Sequence, residues 1–235
     1  MRPAGRSQTT VVLDQLRDDL IYGRLAPGAK LKIDALQQRY GIGATPLREA
    51  LSLLSATGLV ERLDQRGFRV ARVSADDYAE ILWTRCFLEE RALREAILHG
   101  DRAWEEQIVL TQYHLLKASE GEPADDQASI EAWEQRHGEF HAALISACRS
   151  KALLRFCAQL YDAGNRYRYI ARLAPGARAG SFEEHKRIAD AVLNRDTETA
   201  VALLVEHFKR TGELLRHRLV DFDPKAAIKP DLKTV

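Results

Sequence analysis

Residues 33–57 constrain this chain more than any other stretch. Leu36 and Tyr40 belong to one helical stripe and Leu47, Leu51 and Leu54 to another, with only Gly41-Ile42-Gly43-Ala44 between them. Two short helices joined by so brief a glycine-bearing link form the heart of a helix-turn-helix. Thr45 reads as the N-cap of the second helix and Pro46 as its first residue, where a missing N–H costs nothing. That helix spans residues 45–57 and ends at Gly58. Upstream, Val11, Val12, Leu13, Leu16, Leu20 and Ile21 mark another helix that Gly23 stops, and Pro27-Gly28 makes a turn before a helix over residues 33–40. Downstream, residues 59–63 and 68–73 read as two strands around a turn through Asp64-Gln65-Arg66-Gly67. Three helices and a hairpin in about seventy residues describe a winged helix-turn-helix, after a polar start at residues 1–8.

Everything after residue 74 reads as helix. Ser74 with Asp77 forms a capping box that opens a helix running to about His99. Gly100-Asp101 breaks it, residues 102–119 follow, and Gly121-Glu122-Pro123 makes the next break. Further helices fall near 125–148, 151–170, 182–193 and 197–218. Ala174-Pro175-Gly176 separates two of them, and Ser181 with Glu184 caps the next. Six such helices suit an antiparallel bundle. The expected division is a winged helix-turn-helix at 1–74, an all-helical domain at 75–222 and a tail at 223–235, for a mainly α fold.

At 235 residues the chain buries enough surface to fold without staples. Cys86, Cys148 and Cys157 are odd in number and lie in apolar helical stretches, so they read as buried free thiols of a reducing compartment. No apolar run approaches the ~20 residues of a membrane span, and no signal segment opens the chain. The expected location is the cytoplasm. Charge is uneven: residues 1–74 hold twelve Lys and Arg against seven Asp and Glu, whereas the remainder holds 23 against 27. A basic head on an acidic body fits a polyanion bound at one end.

The helix from Thr45 is then the element that enters a DNA major groove. Its first turn presents Thr45, Arg48 and Glu49, with Arg48 able to bridge guanine O6 and N7 or to hold a phosphate. Gln65, Arg66 and Gly67 at the hairpin tip are candidate backbone or minor-groove contacts, and Arg17 a candidate phosphate contact. Each arginine taken alone is equally well read as a solvated charge. The runs from Gly23 to Leu31, from Tyr40 to Leu51, Leu54 with Gly58-Leu59-Val60, and Gly67-Phe68-Arg69-Val70 resemble the DNA-binding domain of the GntR family. That family usually places Ser-Arg or Thr-Arg before the Thr-Pro pair, and the arginine contacts DNA. Gly43 and Ala44 stand there instead, which implies a different operator sequence or affinity.

Among seven histidines, four form a pattern. His137 and His141 share one helical face. His185 and His207 lie equally far from residue 196, inside the helix break at Asn194-Arg195-Asp196, and an antiparallel hairpin would set them side by side. Four converging imidazoles suit Zn²⁺, Ni²⁺ or Cu²⁺ better than Mg²⁺ or Ca²⁺; solvated or hydrogen-bonded histidines are the plain alternative. Arg85-Cys86-Phe87-Leu88-Glu89, Phe140-His141, Glu184-His185-Lys186 and His207 resemble the FCD ligand-binding domain of FadR-type GntR regulators. In many such domains three histidines and an Asp bind a divalent metal. His141, His185 and His207 match the histidines and His137 occupies the Asp position, which favours zinc or nickel. The resemblance also implies that Arg85 faces the pocket and pairs with an effector carboxylate. Arg166, Tyr167, Arg168 and Tyr169 lie on a nearby helix, and Arg168 is the second effector candidate.

The expected function is a DNA-binding regulator that responds to a small organic acid bound near a metal and reads its operator as a homodimer, since such modules read half-sites. Two alternatives stand beside it: a regulator for which the metal itself is the signal, and a metal-dependent hydrolase. Against the hydrolase, no H-E-x-x-H, Gly-x-Ser-x-Gly or phosphate loop occurs, and Glu139 should point away from the paired histidines.

Overall fold

The computed structural model describes residues 6–119, 127–172 and 181–220. The outermost start at residues 1–5, the break at Gly121-Glu122-Pro123, the loop Ala174-Pro175-Gly176 and the tail at 223–235 lie outside the described residues. The N-terminal unit runs α1 (Gln8–Ile21), β1 (Lys30–Leu31), α2 (Ile33–Tyr40), α3 (Ala44–Ala56), β2 (Val60–Leu63) and β3 (Gly67–Val70). Ser7 caps α1 by accepting the Thr10 N–H at 3.1 Å. Gly41 closes α2 in the left-handed conformation, with φ of 63°.

Helix α3 has its cap two residues earlier than the sequence suggests. Its N-cap is Gly43, so Thr45 lies inside the first turn and does not cap it. Pro46 remains tolerated because the first four N–H groups of a helix have no intrahelical acceptor. Leu47, Leu51 and Leu54 turn inward against Val12, Leu16 and Leu20 of α1 and Leu36 of α2, all buried.

The sheet order is β1-β3-β2, antiparallel throughout, with Leu31 opposite Phe68 and Val60 opposite Val70. The sequence gives no sign of β1, which is two residues long and too short to show an alternation. Beneath α1 lies a polar knot: buried Asp19 accepts from Arg24 at 2.9 Å, Arg39 at 2.7 Å and the Tyr40 hydroxyl at 2.7 Å. Burial pushes this carboxyl up, but the three donors outweigh it and hold it below the usual carboxylate range.

The second unit comprises α4 (Ala75–His99), α5 (Arg102–Ser119), α6 (Gln127–Ile145), α7 (Lys151–Arg172), α8 (Ser181–Leu193) and α9 (Thr197–Val220). Ser74 accepts the Asp77 N–H at 3.1 Å, the expected cap of α4. Helix α4 packs on α6, α7 and α9, α5 on α6 and α8, and α8 on α9, around buried Leu93, Ile108, Phe140, Leu144, Ile188 and Leu204. At the α8–α9 turn Arg195 takes a left-handed φ of 58° and donates to the carbonyls of Ile97 (2.6 Å) and Gly100 (3.0 Å), tying this turn to the α4–α5 turn. Cys148 and Cys157 are buried free thiols, whereas Cys86 is only partly buried. No described helix is long and apolar enough to cross a membrane.

The two units meet along α7 and α6. Arg17 donates to Asp162, Arg24 to Glu131, and Arg166 to the carbonyls of Ala71 and Arg72. Tyr22 sets its ring edge-on to Tyr169 at 5.5 Å.

Candidate metal centre and DNA-reading face

Helix α6 carries His137 and His141 one turn apart, and their Nε2 atoms lie 3.1 Å from each other. The α8–α9 hairpin brings His185 and His207 together, ring centres 4.6 Å apart, and sets His185 at 4.9 Å from His137. One nitrogen from each of the four rings falls within 4.8 Å of every other. Four nitrogens gathered this closely could hold a divalent cation between them, which would draw the rings together.

All four rings are buried, His185 completely. Burial, then the charges of neighbouring groups, holds His137 and His141 well below the usual histidine range. Burial likewise lowers His207, against the opposing pull of Glu184. The three therefore keep neutral rings with lone pairs to give. The Nδ1 atoms of His137 and His141 have no hydrogen-bond partner among the described residues, an uncompensated cost in a buried core. The donor set fits a late transition metal.

Two carboxylates that the sequence reading did not single out for this role stand behind the rings. Glu184 accepts from His207 Nδ1 at 2.9 Å and from Arg210 through its other oxygen. A carboxylate accepts, so the His207 proton is on Nδ1 and its Nε2 lone pair is free for a cation. Glu134, one turn before His137, is buried with Oε2 3.9 Å from His137 Nδ1 and 3.5 Å from an Arg168 nitrogen. The available signal was the i, i+3 spacing of Glu134 and His137, which is too common to separate from chance.

A cavity of about 60 Å³ adjoins the histidines, lined by His137, His207, Arg85 and Arg168 on its polar side and by Trp133 and Phe208 on its apolar side. Arg85 is buried, bonded through Nε to Glu89 at 2.5 Å, and stacked 4.0 Å from the Phe208 ring centre, and its Nη2 has no hydrogen-bond partner among the described residues. Arg168 holds Asn165 at 3.1 Å. The aromatic-and-arginine run on α7 is split between two faces. Arg168 reaches the cavity, whereas Arg166 and Tyr169 face the N-terminal unit and Tyr167 bonds Asp77. Glu139 engages Arg136 at 2.7 Å and Gln135 at 3.0 Å, away from the histidines as expected.

On the N-terminal unit, Thr45 and Arg48 are exposed in the first turns of α3, and Gln65, Arg66 and Gly67 are exposed at the hairpin tip, which Gln65 reaches with φ of 54°. Arg17 is placed otherwise than the sequence reading expects. Both Nε (2.6 Å) and Nη2 (2.5 Å) bond the Asp162 carboxylate on α7, a bidentate pair that directs the guanidinium at the bundle and not at a phosphate.

A winged helix-turn-helix docked on a helical bundle with a small cavity is an architecture suited to a transcriptional regulator. Residues 8–70 match the family described as bacterial regulatory proteins of the gntR family, and residues 80–210 match the FCD domain. An uncharacterized HTH-type transcriptional regulator, BphR, of Paraburkholderia xenovorans (strain LB400) is 38% identical over 211 residues, covering 90% of this chain and 86% of the relative. The HTH-type transcriptional repressor GlaR of Escherichia coli (strain K12) is 36% identical, over 82% and 88%. Among solved structures, E. coli McbR/YncC superposes with a TM-score of 0.78 at 22% identity, over 91% of this chain and 99% of that one. The chain belongs to the GntR family and combines its DNA-binding domain with an FCD domain. The hydrolase alternative falls with that assignment, because the families and relatives matched are transcriptional regulators.

Proposed function

We propose that this regulator reads a DNA operator as a cytoplasmic homodimer and that a small organic acid, bound beside a zinc or nickel ion, sets its affinity. The observation that carries the ligand half is a cluster of four buried imidazoles, two of which, His137 and His207, line one cavity together with buried Arg85 and Arg168. His137, His141, His185 and His207 are the ligands, and the ion would supply a Lewis-acidic contact for a carboxylate oxygen. Arg85 and Arg168 bind and orient the acid by charge-assisted hydrogen bonds. Trp133 and Phe208 exclude water and select a compact acid. A cavity far below the ~300 Å³ of ordinary ligand sites admits only a short one.

For the DNA half, Arg48 and Thr45 approach base edges in the major groove, and Gln65, Arg66 and Gly67 follow the backbone beyond it. A second reading, in which the ion alone is the signal, draws support from the small cavity. Selection of an operator from a random duplex library, followed by binding in chelator, in zinc and in zinc with short carboxylic acids, separates the two. Release by acid on zinc-loaded protein supports the effector reading, and a switch by zinc alone supports the metal sensor. Indifference to every condition would sink both.

A further inference from the structure

An imidazole that ligates a metal does so as a neutral donor and brings no counter-charge, so a dication held by four of them depends on carboxylates just outside. Each ring that gives an electron pair to a metal also needs an acceptor for its other N–H. For His207 that acceptor is in place, at 2.9 Å in Glu184. For His137 it is Glu134, whose Oε2 stands 3.9 Å from Nδ1, too far for a hydrogen bond, and 3.5 Å from Arg168. Arg85 meets its counter-charge in Glu89 and Arg210 in Glu184. Arg168 reaches for the same carboxylate that His137 requires.

We propose that Glu134 is a positioning residue shared between the cation and the anion sites, an inference that rests on the four-histidine metal reading above. Drawn toward Arg168, the carboxylate leaves His137 loosely held. When an anion neutralises Arg168, Glu134 closes on His137 Nδ1, fixes the ring and brings negative charge to the edge of the cage. Acid and metal then strengthen one another's binding through one side chain, a coupling that is reciprocal by necessity. Glu134 also restores the charge that a histidine at position 137 leaves out of the ligand set.

Calorimetric titration of the full chain with Zn²⁺ alone tests this in a four-member cycle: wild type, Glu134→Gln, Arg168→Gln and the double variant. Glu134→Gln should weaken zinc about 10- to 100-fold. Arg168→Gln, which removes the pull of Arg168 on Glu134 as a bound anion would, should tighten zinc several-fold in the wild-type background and leave it unmoved beside Glu134→Gln. A merely structural role predicts weaker zinc in both single variants, and that outcome overturns the proposal. So does an equal gain from Arg168→Gln with and without Glu134. Melting of the zinc-free proteins checks folding; where Glu134→Gln does not fold, Glu134→Asp takes its place and its shorter reach should cut the gain. A wild type that takes up no zinc removes the four-histidine site and this coupling with it, a failure distinct from the other two.

Discussion

His185 is the most enclosed of the four histidines, with no exposed surface. His185→Ala should therefore lower both zinc content and melting temperature. At free zinc a hundredfold above its Kd, the lost linkage is worth about 2.7 kcal/mol; full zinc occupancy in the variant would remove His185 from the site. The neutral rings also set a pH dependence in the zinc-free protein. His137, His141 and His207 titrate below their ordinary value of 6.5 when folded and near it when unfolded. Below that value the unfolded chain binds more protons than the native one, so stability must fall as pH drops through 6.5 and below. Urea midpoints in chelator at pH 7.5, 6.5 and 5.5 should decline in that order, and equal midpoints would contradict buried neutral imidazoles. The pairing of these four residues was legible from spacing alone, because i, i+4 positions share a helix face and residues equidistant from a hairpin turn share a height. Glu134, Glu184 and the small cavity were not, since acidic residues on helices are mostly solvated and only the packing sets these two against the rings.

At the scale of elements, the strongest local signals gave the sharpest boundaries. Ser74 opens α4 and Gly41 ends α2 where the sequence reading puts them, whereas α3 begins at Ala44 after Gly43, which has no side chain to mark the start. Helix α3 is held by Leu47, Ala50, Leu51 and Leu54 on its inner face and leaves Arg48 outside. Arg48→Ala should accordingly abolish binding to a selected operator without shifting the melting curve; unchanged DNA affinity would refute α3 as the reading helix. The α4–α5 turn is tighter than its sequence suggests. A Cβ on Gly100 would meet the Trp104 ring at 1.9 Å, and Trp104 is anchored by its indole N–H to the Ala143 carbonyl at 2.9 Å. Gly100→Ala should cost about 1–3 kcal/mol through overpacking, read as a lower urea midpoint at unchanged DNA specificity.

Over the whole molecule, the junction was the part least legible in advance. Arg17 read as a phosphate contact because a lone arginine on a first helix has no visible partner until α7, 145 residues on, delivers Asp162. With Arg17 held by the bundle, the proposed DNA contacts are those of α3 and the hairpin tip. Binding to random duplex should still weaken steeply with salt as phosphate contacts release counterions. Arg17→Ala should leave that slope unchanged, whereas Arg66→Ala should reduce it by about one; a slope lowered equally by both would return Arg17 to the DNA face.

Helix α7 bears Arg168 on its cavity side, and on the opposite side Arg166 and Tyr169 grip the backbone of Ala71 and the ring of Tyr22. A stiff rod cannot roll along one flank while its other flank stands still. Any guest that tugged Arg168 sideways would drag the neighbouring tyrosine and arginine with it, so the N-terminal unit rides on the very spindle that walls the cavity.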